Sequence, residues 1–497
     1  MLCEPPSTPI SARQHKSPYS DGLDAWLQKR SHKWSNVHPT CWAAAYAGSQ
    51  SISYRMSKGP HLPSSQPTES FWPLIEAVQS TLIGLIVFVA AIAPLALPPL
   101  VVALFIITIA QDHLSGPGLA GTWRRLSASP ATLIGLAFMA LAVASSLWAV
   151  RPAYTLQSVA QCALTGFGAW YVAVSLSTRT GSIDSRRRTR FTRAVPIGAI
   201  FVGTYFTLDA LTGDQATLFF ARNFPSMFDG LENTIQFRDG IAEKLSDVYF
   251  NRTAAALSMI VVGLAAALQF WPTSVFGRFL GLLAAVGAVL ISLKSNSATA
   301  LLALAAAFAG FALALWSSRQ TMRLLQVVFA IAVMGAIPLS MLPKALHIEQ
   351  NERLPLSFRE RVLIWDHIGR DALQAPWIGV GVQSVKFTPK LRATLVPSGN
   401  AENKTIAYAH PHNGYLQVWV ELGLVGALLF MLAGLSLIGR IASLSPAMQP
   451  FALALTAATL AMIGPGWGLW QPWIIAAIGF GWICLVPLQA EFASADR

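Results

Sequence analysis

Charge and cysteine are scarce in this chain. Only 12% of its 497 residues are charged while 54% are hydrophobic, whereas a soluble domain carries roughly twice that share of charge. With sixteen Trp and a mean hydropathy of +0.51, this composition excludes a soluble globular protein. The four cysteines (Cys3, Cys41, Cys162 and Cys484) lie in the amino-terminal tail and the apolar runs. None shows metal-like spacing, so neither disulfides nor structural zinc is expected. An apolar stretch near the start is also missing, so no signal peptide is expected. Residues 1–72 are instead rich in Ser, Pro, His, Lys and Arg without sustained periodicity, and read as a disordered cytoplasmic tail.

Long apolar runs dominate the remainder. Several reach the roughly 20 residues that a helix needs to cross hydrocarbon. They are expected near 73–93, 95–111, 130–149, 155–176, 194–211, 253–271, 277–293, 299–316, 323–343, 414–438, 449–464 and 469–487. The first pair, separated by Ala93-Pro94-Leu95, is either a tight hairpin or re-entrant, and Gly464-Pro465-Gly466-Trp467-Gly468 turns between the last pair. The expected fold is an all-α integral membrane protein of about twelve transmembrane helices. Its organisation reads as tail 1–72, nine spans in 73–343, a large loop 344–413, three spans in 414–487 and a tail 488–497.

Basic residues orient the spans. Arg124-Arg125, the run 186–193, Arg278, Arg319, Arg323 and Arg440 fall on one side of this plan, which the positive-inside rule makes cytoplasmic. Both termini are then cytoplasmic, and loops 212–252 and 344–413 face outward. The net charge of +12 reads as topology determinants meeting anionic lipid headgroups, not as a nucleic-acid surface.

The large loop carries the chemistry. Ser357-Phe358-Arg359-Glu360 fits a capping box, predicting a helix to about Gln374, before Pro376. At helical spacing Arg361, Ile364, Trp365, Ile368 and Ala372 share one face, with Arg359, Asp366 and Arg370 opposite. An arginine in an apolar stripe either snorkels to a lipid phosphate or clamps phosphate or pyrophosphate through its forked guanidinium. Gly379-Val380-Gly381 then forms a turn where backbone can approach a ligand. Arg252, ending the other loop, is a second anion contact or an interfacial anchor, and Lys294 is a weaker candidate.

The run 409–426 sets His410 and His412 just outside an apolar helix, followed inside it by Gln417 and Glu421. Imidazole suits proton transfer near neutral pH, and an ionisable group inside a span is costly enough to mark function. Glu421 either orients a catalytic group or acceptor, or is a buried packing group.

Arg361-Val362-Leu363-Ile364-Trp365, Gly379-Val380-Gly381, His412-Asn413-Gly414-Tyr415-Leu416-Gln417 and Glu421-Leu422-Gly423-Leu424-Val425-Gly426 resemble the core of the O-antigen ligase and polymerase superfamily. Ser146-Leu147-Trp148-Ala149-Val150-Arg151-Pro152 is also similar to that family's pattern. The resemblance implies an inner-membrane glycosyltransferase of GT-C-like architecture with a large periplasmic loop. It would pass a glycan from undecaprenyl pyrophosphate to lipid A–core, or to another glycan in a repeat-unit polymerase. By the same resemblance His412 is the general base or acceptor-positioning group; His410 and Glu421 are the other catalytic candidates, read from the residues themselves. Arg361 and, more loosely, Arg252 would contact pyrophosphate, and Trp365, Asn413, Gln417 and Lys294 are lesser substrate contacts. No metal or other cofactor is implied. A transporter or flippase is the rival of another class, but no internal repeat is visible and the charged candidates gather at one face.

Overall fold

A computed structural model describes residues 71–114, 118–178, scattered positions within 194–209, 212–224, 235–238, 241–246, 250–269, 275–295, 297–388, 393–397, 403–407 and 410–485. The two tails and the basic run 186–193 lie outside the described residues, as does most of the span expected at 194–211.

The first two apolar runs form a tight hairpin. Helices α1 (Phe71–Ile92) and α2 (Leu97–Leu114) are joined by the short turn Pro94–Ala96. Gln79 Nε2 donates to Thr108 Oγ1 across the pair at 3.2 Å, which fixes an antiparallel register. A short helix α3 (Gly118–Ser127) carries Arg124 and Arg125. Helices α4 (Pro130–Ala144) and α5 (Pro152–Thr178) both open on proline, whose missing N–H is no loss in a first turn. Asp112 is buried and accepts from Tyr171 at 2.8 Å, Ser175 at 3.0 Å and Thr122 at 3.2 Å. A buried carboxylate requires such partners, and here they tie α2, α3 and α5 together.

The loop after residue 211 holds helix α6 (Gln215–Asn223) and the antiparallel hairpin β1 (Ile235–Arg238)–β2 (Ile241–Leu245). Arg222 Nε joins them, donating to the Ala242 carbonyl at 2.8 Å. Next come α7 (Asn251–Gln269), α8 (Val275–Lys294) and a long helical stretch α9 (Ala298–Met334). Small residues let helices approach closely where hydrophobic force between them is absent. A Cβ on Gly263 would lie 2.7 Å from the Gly481 carbonyl, and one on Gly310 would lie 2.9 Å from Ala457 Cβ.

Ser317 interrupts α9 with φ −155° and ψ 98°. Before the break the chain runs antiparallel to α13 (Gln449–Ile463): Thr299 meets the Pro465 carbonyl and Gly310 meets Ala457. After it, the chain runs antiparallel to α12 (Gly414–Gly439): Gln326 reaches the Leu435 carbonyl, and Trp419 Nε1 donates to Val333 at 2.7 Å. The stretch is therefore a helical hairpin, as the separate runs 299–316 and 323–343 predict. Helix α10 (Ala336–Ala345) continues the second arm, α11 (Leu356–Ala372) crosses the large loop, and α14 (Pro472–Leu485) closes the described chain.

The protein is thus predominantly helical. Among the described residues six helices, with the two arms of α9 counted as one, are long and apolar enough to cross a membrane, and three shorter apolar ones accompany them. The expectation of an all-α chain needs correction. Hairpin β1–β2 and a second antiparallel pair, β3 (Ala393–Pro397)–β4 (Asn403–Ala407), sit in the two loops expected to face outward. Both are short two-stranded units of the kind that needs packing support from elsewhere.

Candidate functional site

The site is assembled on an interrupted helix. Gly423, inside α12, adopts φ 62° and ψ −160°, a conformation reserved for glycine. The freed carbonyls of Val420 and Glu421 accept from Val380 N–H and Gly381 N–H, each at 2.9 Å, while Leu424 N–H and Val425 N–H donate to Pro376 and Trp377 at 2.8 and 3.1 Å. Segment 376–381 is therefore a strap laced into the break by four backbone bonds. A Cβ at Gly379 would stand 2.3 Å from the Glu421 backbone, and one at Gly423 would stand 2.3 Å from Trp377. This corrects the expectation for Gly379-Val380-Gly381: the glycines admit a neighbouring helix backbone, not a ligand.

Beyond the strap the loop docks on the turn after α4. Val382 N–H donates to Ser145 Oγ at 3.1 Å, Val150 N–H to Ser384 Oγ at 3.2 Å, and Thr155 Oγ1 to the Val382 carbonyl at 2.7 Å. A Cβ on Gly381 would meet Ala149 Cα at 2.8 Å. Lys386 Nζ donates to Tyr154 OH at 2.8 Å and lies over that ring, while the Arg151 guanidinium stacks 4.4 Å from Phe387.

Helix α11 does not use the expected capping box. It starts at Leu356 after Pro355, with no side-chain cap. Pro355 sets the extended backbone that begins the helix, leaving Ser357 inside the first turn. Trp365 is buried and donates Nε1–H to the Pro411 carbonyl at 3.0 Å, so it braces the histidine segment. Asp366, on the face opposite Arg361, is itself buried and binds Lys344 Nζ at 2.8 Å and Arg370 Nη2 at 3.0 Å. Burial alone would raise its pKa, but the bonds from Arg370 and Lys344 hold it below the ordinary carboxylate value.

The His410 and His412 rings lie with centroids 4.2 Å apart, tilted by 51°. The backbone N–H of His412 donates to His410 Nδ1 at 3.2 Å, made possible by a φ of 52° at His412. His412 Nδ1 lies 3.2 Å from the Gly466 carbonyl. A carbonyl can only accept, so Nδ1 carries the proton and the neutral ring keeps a lone pair on Nε2. Burial, the neighbouring imidazole, Arg361 and Lys386 lower the His410 pKa to about 3. Burial and Arg361 lower that of His412 to about 4, against the opposing bond to Gly466. Both rings are therefore neutral at pH 7.

Arg361 is half-buried, and among the described residues it makes no hydrogen bond or ion pair. Burial lowers its pKa, with Glu360 opposing, so its cation is poorly hydrated and suited to an incoming anion. Asn413 caps α12, its Oδ1 accepting from Leu416 N–H at 3.1 Å. Gln417 Oε1 accepts from Leu469 N–H at 2.8 Å and its Nε2 donates to Glu421 at 3.1 Å. The Glu421 carboxylate also takes Trp470 Nε1–H at 2.6 Å and the backbone N–H of Gln383. It is 1% exposed and surrounded by donors, so it joins the strap, the turn before α14 and α12.

Two further candidates have no described contact with this cluster. Lys294 pairs with Asp214 and covers the Phe250 ring. Arg252 sits in the first turn of α7, and no described contact joins it to the histidines. Sequence reasoning did not single out Lys386, Gln383 or Trp470, which follow no spacing pattern, and it read Gly466 and Gly468 only as a turn. Among the described residues no three His, Cys, Asp or Glu side chains form a group able to hold a metal ion.

Residues 280–431 match the O-antigen ligase family, a stretch containing Arg361, His410, His412 and Glu421. A Rickettsia conorii protein, provisionally named a polysaccharide ligase, is 31% identical over 75 residues, spanning 15% of this chain and 18% of the relative. The chain thus spans less than a fifth of that relative's length. Over residues 280–431, this membrane protein is thus similar to the O-antigen ligase superfamily.

Proposed function

We propose that the protein is a membrane glycosyltransferase acting on the periplasmic face of a bacterial inner membrane. It transfers a glycan from undecaprenyl pyrophosphate to an acceptor hydroxyl, with lipid A–core as the preferred acceptor. The whole chain then has about twelve spans in a GT-C-like arrangement, with both termini cytoplasmic. The observation that carries this reading is a neutral imidazole whose Nε2 has no partner among the described residues, within electrostatic reach of a half-buried Arg361 guanidinium that likewise has none among them.

The acceptor oxygen forms a bond to the anomeric carbon as the carbon–oxygen bond to pyrophosphate breaks, its electron pair leaving with the phosphate. His412 Nε2 takes the hydroxyl proton, and Arg361 meets the charge that grows on the leaving oxygen. Direct attack inverts the anomeric configuration. Trp365, Asn413, Gln417 and Glu421 hold these groups in place, while His410 supports the His412 backbone. Arg252 and Lys294 are left as outlying contacts to substrate or lipid.

Deletion of the gene, complemented by wild type, His412→Ala or Arg361→Ala at equal expression, tests this reading. Wild type restores the lipopolysaccharide ladder, while each variant leaves glycan stranded on its lipid carrier. A normal ladder in every strain would overturn ligation. Loss of long chains with core attachment retained would identify a repeat-unit polymerase instead.

A further inference from the structure

The cations of the large loop fall into two sets. Lys344 and Arg370 share Asp366, and Lys294 at the other loop pairs with Asp214. Among the described residues Arg353, Arg359, Arg361 and Lys386 have no carboxylate within ion-pair distance. Of these, Arg361 and Lys386 approach the histidine segment from separate elements. Trp365, one turn along α11 from Arg361, binds the Pro411 carbonyl. Gln383, just before the turn that holds Lys386, contacts Trp470, two residues from the Gly468 that packs on His410. Arg361 arrives on α11; Lys386 ends the short helical turn Ser384–Lys386.

That turn is held with some precision. Ser384 accepts from Val150 N–H, and Gln383 Nε2 lies 3.5 Å from the Trp470 carbonyl. Trp470 in turn binds Glu421, and a Cβ on neighbouring Gly468 would lie 3.0 Å from His410. The Lys386 ammonium spends one proton on Tyr154 OH and rests 4.7 Å from that ring and 5.7 Å from Phe387. An ammonium has three donors, and its described partners are a hydroxyl and two ring faces, which leave its charge uncompensated.

We propose that Lys386 is a second cationic contact for the donor's pyrophosphate, engaging one phosphate as a point charge while the Arg361 fork engages the other. This rests on the donor assigned above. A monophosphate would need only one of the two cations, so the pair selects a diphosphate leaving group.

The full-length protein in lipid nanodiscs is titrated with undecaprenyl pyrophosphate and, separately, undecaprenyl phosphate. Lys386→Gln weakens pyrophosphate binding about tenfold, the scale of one charge-assisted bond, and leaves monophosphate binding nearly unchanged. Lys386→Arg retains the preference for pyrophosphate. Tyr154→Phe removes the hydroxyl partner but keeps the cation, and it also retains the preference; thermal unfolding confirms that each variant is folded. Equal loss in Tyr154→Phe and Lys386→Gln, or pyrophosphate binding unchanged in Lys386→Gln, would overturn the assignment and leave the donor reading intact. A wild type that binds the two lipids equally would overturn the donor reading, and the assignment with it. Should Lys386→Gln fail to fold, loss of the preference in the folded Tyr154→Phe or Lys386→Arg variant overturns the proposal.

Discussion

His412 illustrates how a single carbonyl decides a side chain's chemistry. The Gly466 oxygen fixes the tautomer, so Nε2 is the only ring atom left to exchange a proton. Because the His410 and His412 values lie below the ordinary 6.5, the unfolded chain binds these protons more readily. Stability should therefore fall as pH drops from 6.5 towards about 4, and detergent-phase unfolding curves across that range check it. The acid limb of kcat/KM should fall near pH 4, and a limb centred on 6.5 would contradict a desolvated base. On the proposed function, pyrophosphate bound at Arg361 would offset its charge and raise the His412 value, so the acid limb of kcat should lie above that of kcat/KM. Trp470→Phe removes a donor from Glu421 at little cost in volume. It should lower stability by about 1–3 kcal/mol through a less satisfied buried carboxylate, measured by thermal aggregation. The residue types at this site were legible in the sequence because His410, His412 and Arg361 sit where packing gains little from them. Their partners were not, since the Gly466 carbonyl and Lys386 arrive from distant chain segments.

At the scale of elements, glycines decide the outcome. Gly379 and Gly423 meet backbone against backbone, both with positive φ. Alanine at either position puts a methyl where no side chain can yield, costing on the order of 1–3 kcal/mol or more. Each variant should unfold at lower temperature and lose transfer activity, because the strap also delivers Gln383 to Glu421. Gly287 and Gly135 have nothing within 4 Å, and their alanine variants should behave as wild type. The sequence made α12 legible as an apolar helix but hid its break, because Gly423 within so apolar a run satisfies every criterion for a continuous span. The capping box failed at α11 for a related reason. Ser357 and Glu360 matched the pattern, yet Pro355 set the start two residues earlier.

For the whole molecule, apolar run length made the helical membrane character legible, including the hairpin at Pro94 and the two arms that meet at Ser317. Run length was silent on the β-hairpins, whose strands are four or five residues long. Sidedness is open to direct test with single cysteines placed in a cysteine-free background. Positions in 347–353 and 212–214 should react with a membrane-impermeant maleimide in intact spheroplasts. Positions in 444–448 and 127–129 should react only after lysis. Labelling of both groups from the same side would refute the proposed orientation.

The strap also constrains the order of assembly. Trp377 leaves the ribosome well before Gly423, so the strap exists while its slot does not. Gly423 lies roughly 14 Å along the axis from Gly414 at ~1.5 Å per residue, and unpaired backbone groups there would be costly in lipid. Helix α12 therefore has reason to insert unbroken and to exchange its own bonds for those of the strap only once the loop folds back. The active arrangement would then be the last step of maturation, completed within the membrane after synthesis has ended.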